Sequence, residues 1–154
     1  MTPTYGDFAL VATDGLVARL IRWATGGWSN HGFIYIGGGK IVEANPAGVE
    51  VSELSKYDGM RVQWSHLTMS SSDRDRAVGA ALGMVGIPYG FVDIVAILVK
   101  DNPVLGPVLS HRLNRGDRLI CSQVIARALR VAGHRLSSEP DNFVRPADLE
   151  GFTA

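Results

Sequence analysis

The sequence predicts an α+β fold in which a small antiparallel sheet comes first and helices follow. Two observations predict it. Between His31 and Leu67 the chain reads as β-type runs with a glycine-rich turn, and from Ser70 onward the apolar positions recur mainly at helical spacing. The last of these helical runs carries the only cysteine, Cys121, in its first turn. A chain of 154 residues with 46% hydrophobic and 19% charged residues has enough apolar material for one continuous core, so residues 1–154 are expected to form one domain.

Phe8 to Ala12 is a short apolar strand. Thr13-Asp14-Gly15 follows, and Thr13 or Asp14 is the expected cap of a helix with Leu16, Val17, Leu20, Ile21 and Ala24 on one stripe, ended by Gly26-Gly27. His31 to Ile36 and Lys40 to Ala44 form a hairpin around Gly37-Gly38-Gly39. Met60 to Leu67 alternates Val62, Trp64 and His66 against Arg61, Gln63 and Ser65, which extends the sheet to at least three strands with one face buried. Ser70-Ser71-Ser72-Asp73 caps a helix containing Ala77, Ala80, Ala81 and Met84, and Gly86-Ile87-Pro88 stops it before an apolar helix that starts near Phe91. Asp101 to Asp117 reads as a long loop of the kind that selects substrate. Ile120, Val124, Ile125, Ala128, Leu129 and Ala132 then mark a buried helix that Gly133 terminates.

Charge and composition exclude several classes. Lys plus Arg and Asp plus Glu number 15 each, so no overall positive field exists to hold nucleic acid. The longest apolar run, Phe91 to Val99 interrupted by Asp93, falls short of the ~20 residues of a membrane span. The first residues have neither the basic start nor the apolar core of a secretory signal, so the expected location is the cytoplasm, or outside by another export route. A monomer without stable membrane insertion is expected.

One cysteine forms no internal disulfide and no cysteine-based zinc site, which leaves a buried small hydrophobe or a reactive thiol. A helix N-terminus stabilises a thiolate, and position alone leaves the two readings even. A thiolate needs a proton acceptor. Of the four histidines, His134 follows a helix-ending glycine and is expected at the solvent, His111 lies in the long loop, and His66 has a strand position that ordinary packing accounts for. His31 begins a strand after a Trp-Ser-Asn turn, from which an imidazole reaches a helix terminus. If the three glycines form the loop, Ile36 pairs with Lys40, Phe33 faces Glu43 and His31 faces Asn45, making Glu43 a diagonal neighbour of His31. A two-residue loop instead sends Glu43 to the other face.

These residues and their setting resemble the circularly permuted, NlpC-type papain-like cysteine hydrolases, including the YiiX-like proteins and, more remotely, lecithin:retinol acyltransferase. The resemblance spans nearly the whole chain: Gly6-Asp7 before a strand, LIRWATGGWSNHGFIYIGGGKIVEANPAGVEV, GIPYG at 86–90, CSQVIARALRVAG and RPADL at 145–149. Histidine precedes cysteine, as in the permuted branch and unlike papain. The resemblance implies a papain-like domain with Cys121 as nucleophile, His31 as base and Glu43 as the polar third residue. It also sets Tyr89, Ser122, Asn30 and Trp28 nearby as oxyanion or substrate contacts. Asn30 stands where serine is usual, Phe33 where glycine is usual, and Gln123 where glutamate usually follows Cys-Ser.

The implied chemistry is acyl transfer through a thioester without metal or cofactor, on a peptide or acyl-group substrate. Amide hydrolysis of a peptidoglycan-type peptide is the expected reaction, with a lipid or thioester acyltransferase or esterase as the alternative. A non-catalytic module that uses Trp23, Trp28 and Tyr35 as contacts is the competing class. A metal site from His31, His66 and Cys121 has no local ligand spacing behind it.

Overall fold

A computed structural model of the chain describes residues 2–91, 94 and 117–154. Five antiparallel strands, β1 (Phe8–Ala12), β2 (His31–Gly37), β3 (Lys40–Asn45), β4 (Gly48–Glu53) and β5 (Arg61–Trp64), form one sheet in the order β4-β3-β2-β1-β5. Four α-helices occur among the described residues: α1 (Leu16–Thr25), α2 (Ser71–Gly83), α3 (Cys121–Val131) and α4 (Pro146–Leu149). The fold is therefore α+β, as the sequence predicts. The expected apolar helix beyond Phe91 and the loop from Asp101 lie, apart from Ile94 and Asp117, outside the described residues.

Strand alternation divides the core in two. Phe8, Leu10, Ile34, Val42, Ala44 and Val49 point to one face and pack with Ala77, Val78 and Ala81 of α2 and Val124, Ile125, Ala128 and Leu129 of α3. Ala9, Val11, Phe33, Ile41 and Trp64 point to the other, where Tyr57 stacks on Phe33 at 4.8 Å between ring centroids. The six apolar positions read as the buried stripe of the α3 region are all buried. Gly32 lets α3 approach the sheet closely: a Cβ there would sit 2.8 Å from Ile125 Cδ1 and 2.9 Å from the Ala9 carbonyl.

Several expectations are corrected. The hairpin turn is two residues, Gly38-Gly39, both with positive φ (61° and 75°), as a tight primed turn requires. A register shift between Tyr35 and Gly37 replaces the expected Ile36–Lys40 pair with Gly37–Lys40 and adds back one residue, so Phe33 still faces Glu43. β4 went unread because Asn45-Pro46-Ala47-Gly48 resembles a loop entrance, whereas Asn45 pairs with Gly48 across a tight turn. β5 stops at Trp64, and His66 lies beyond it, exposed.

Helix α1 departs most. Its N-cap is Gly15, with no side-chain cap, because Thr13 instead bonds Asn30 through both its backbone N–H and its hydroxyl. Most of its apolar stripe faces outward: Leu16 is 83% exposed, Val17, Leu20 and Ala24 are exposed too, and only Ile21 is partly buried; Trp23 beside the stripe is 81% exposed. Ala18 and Arg22 turn inward instead. Ala18 is small enough for close approach, and Arg22 donates to the Thr13 carbonyl and the Asn30 side chain at 2.7 and 2.6 Å. Helix α2 follows expectation, with Ser70 and Asp73 forming a reciprocal capping box.

Candidate active site

Glu43 is the electrostatic centre of the site. The register carries its side chain to the Phe33 and Tyr57 face, where it is fully buried. An isolated carboxylate there is untenable, and donors surround it. His31 Nε2 lies 2.8 Å from Oε2, the Tyr57 hydroxyl donates to the same oxygen, and Lys56 Nζ pairs with Oε1. Tyr57 and Lys56 reach it from a single 3₁₀ turn, Leu54–Tyr57, after β4. Neither was legible in the sequence, because SKY at 55–57 carries no spacing signal and its meeting with Glu43 depends on the unread β4.

Burial raises the carboxyl's proton affinity, but hydrogen bonds from His31 and Lys56, then Ser52 and Tyr57, outweigh it and hold Glu43 well below the usual carboxylate range. A depressed folded value stabilises the fold above the ordinary value of 4.5 and loses that contribution as pH falls below it. Glu43→Gln is accordingly expected to flatten the dependence of unfolding free energy on pH below about 4.5 in denaturant titrations. An unchanged slope would show the carboxylate to be energetically idle.

Cys121 is buried and is the first residue of α3, where backbone N–H groups lack intrahelical partners. Gln123 fixes that end: its Oε1 accepts from Ile120 N at 3.1 Å and its Nε2 donates to the Asn142 carbonyl at 2.9 Å. A neutral amide does both, which glutamate cannot. His31 and Cys121 are near enough for the charge of each to act on the other. Burial disfavours the imidazolium, yet the charge and hydrogen bond of Cys121, followed by those of Glu43, raise the His31 value from 6.5 to about 9. With Nε2 on Glu43, Nδ1 is the nitrogen left for the thiol.

The cleft beside His31 has a volume of about 280 Å³ and takes Ala44 from one face of the sheet and Tyr57 from the other, so it opens at the end of the strands. A slot of about 20 Å³, walled by Ile21, Ile94, Ile120 and Pro146, adjoins Cys121. Tyr89 and Asn30 line both. Tyr89 is delivered by a parallel bridge to Leu119, two residues before Cys121. Burial and then the Cys121 charge push its phenol well above the ordinary value, which keeps it a proton donor at working pH.

Asn30, Ser122 and Trp28 each have partners of their own. The Asn30 side chain is engaged by Thr13 and Arg22. Ser122 donates to the Val144 carbonyl at 2.6 Å and ties α3 to the segment before α4. Trp28 stacks under Arg61 at 4.2 Å and lines neither cavity. Of the other histidines, His134 is half-buried rather than solvated, 3.4 Å from Asp73, and His111 lies outside the described residues.

The architecture matches the crystal structure of metalloprotein YiiX from Escherichia coli O157:H7 with a TM-score of 0.64, over 87% of this chain and 69% of that one, at 17% identity. The fold is YiiX-like. At that identity the likeness speaks for the architecture alone, a five-stranded antiparallel sheet with helices packed against one face. No family model matches the sequence, and no curated protein does. The word metalloprotein is said of YiiX. Among the described residues no group of three or more His, Cys, Asp or Glu is gathered to hold an ion, and Glu43 is already bonded on both oxygens. No helix among the described residues is long and apolar enough to cross a membrane.

Proposed function

We propose that the protein is a cysteine-dependent hydrolase that cleaves an amide bond, with Cys121 as nucleophile, His31 as base and acid, and Glu43 as the residue that orients His31. One observation carries the reading: a thiol at a helix N-terminus is electrostatically coupled to an imidazole whose Nε2 is held by a buried carboxylate. Cys121 adds to the substrate carbonyl as its proton passes to His31. The oxyanion receives the Cys121 backbone N–H and the Tyr89 hydroxyl; His31 then protonates the departing amine, leaving a thioester that water hydrolyses. The substrate is a peptide or related acyl compound, of which a peptidoglycan-type stem peptide is one.

Iodoacetamide at neutral pH tests the first step. Wild-type protein is expected to be alkylated at Cys121 in minutes and His31→Ala far more slowly, because a thiolate beside an imidazolium reacts where a neutral buried thiol does not. Equal and slow labelling of both would sink the reading. Turnover is expected to fall above about pH 9, where His31 loses the proton it must donate.

A second reading, transfer or hydrolysis of a lipid-type acyl group by the same residues, is favoured by α1. Val17 and Ile21 line the walls beside the reactive pair while Leu16, Leu20 and Trp23 of the same helix face outward. Faster turnover of long-chain than of acetyl p-nitrophenyl esters would favour it, and the reverse order would favour peptide-type amides.

A further inference from the structure

We propose that Lys56, supported by Tyr57, is a positioning and charge-balancing member of the site, so that the working unit is the chain Cys121–His31–Glu43–Lys56. The inference rests on the reading of Cys121 and His31 as nucleophile and base. Its ground is charge accounting in a buried place. When the thiol has passed its proton to the imidazole, Cys121 and Glu43 carry negative charge and His31 and Lys56 positive charge, giving a neutral set. Without Lys56 a net negative charge is left around a fully buried carboxylate, and such uncompensated charge is costly.

The hydrogen bonding divides the work. Oε2 of Glu43 serves His31 and Tyr57, while Oε1 is held by Lys56, so the carboxylate is pinned at both ends and cannot rotate away from the imidazole. Tyr57 also stands beside His31, with ring centroids 5.8 Å apart. The charged or titratable groups around His31 are Cys121 from α3, Glu43 from β3, Tyr57 from the 3₁₀ turn, and Asp14 and Tyr89 on the cleft wall, with Lys56 on the far side of Glu43 and Glu50 of β4 acting on Tyr57. Among these Lys56 is the cation that touches Glu43 directly from the side opposite His31. Its side chain is 40% exposed, so solvent screens its field and the expected effect is partial.

The test follows the His31 titration midpoint by NMR, with the signal assigned by its loss in His31→Ala. Lys56→Met is expected to raise the midpoint by about half a pH unit, because a competing cation has gone. Lys56→Arg is expected to restore it, and Tyr57→Phe, which keeps the ring on Phe33, to raise it by removing a donor from the shared oxygen. The alkaline limb of turnover should move with the midpoint. If Lys56→Met folds and both midpoint and limb stay where they are, Lys56 is a surface residue and the proposal fails. Cys121→Ala separates that failure from the other: it should lower the midpoint, and a midpoint insensitive to Cys121 overturns the nucleophile–base reading itself.

Discussion

Cys121→Ser is expected to lower kcat/KM on any accepted acyl substrate by at least about a thousandfold, and His31→Ala by a comparable factor. The serine hydroxyl occupies the same place at the start of α3 but holds its proton too tightly for an imidazole to remove without further help. The double variant should be no worse than either single one, because the two groups act as one unit. Glu43→Gln should keep a residual rate, since an amide oxygen still accepts from His31 Nε2 but supplies no charge to the imidazolium. Kinetics with a p-nitrophenyl ester and an aminoacyl amide check all four variants. Additive losses, or a serine variant of near wild-type rate, would move the chemistry elsewhere.

Gly32→Ala is expected to have a large effect for a single methyl group. The new carbon would meet the Ala9 carbonyl at 2.9 Å and Ile125 Cδ1 at 2.8 Å, and the first of these is backbone in the middle of the sheet. Relief requires β2 to shift against β1 as well as α3 to lift from β2, at an overpacking cost of about 1–3 kcal/mol. Thermal unfolding should report this as a fall of about 3–10 °C in Tm. Because Gly32 adjoins His31 and α3 begins with Cys121, alkylation of the surviving folded protein should also slow. A Tm unchanged within error would mean that the helix yields without strain.

The residues that pack were legible in the sequence because packing is periodic. The α3 stripe, the Ser70 box and the facing of Phe33 and Glu43 all follow from spacing. A three-glycine loop and a two-residue turn with a bulge produce the same register at Phe33 and Glu43, so the parity of the strand does not depend on the turn. Periodicity misled at α1, where a stripe that ought to be buried is exposed because Arg22 and Ala18 carry the contacts with the body of the protein. Lys56 and Tyr57 were invisible for a different reason: their meeting with Glu43 is made by β4 and a 3₁₀ turn, and single polar residues in such turns carry no pattern.

The separations along the chain give the site an order of assembly. His31 is 12 residues from Glu43, and Glu43 is 13 and 14 from Lys56 and Tyr57, so that network closes within neighbouring β-hairpins. Cys121 joins from ninety residues beyond His31 and has to wait for α3 to dock on Gly32. Short loops close early and cheaply, whereas distant contacts form late. A nascent or partly unfolded chain therefore holds its imidazole and carboxylate already matched but keeps the sulfur away from them. Any activation of Cys121 by His31 waits for that long-range contact, so a rise in its alkylation rate above that of the exposed, unfolded thiol reports the docking of α3.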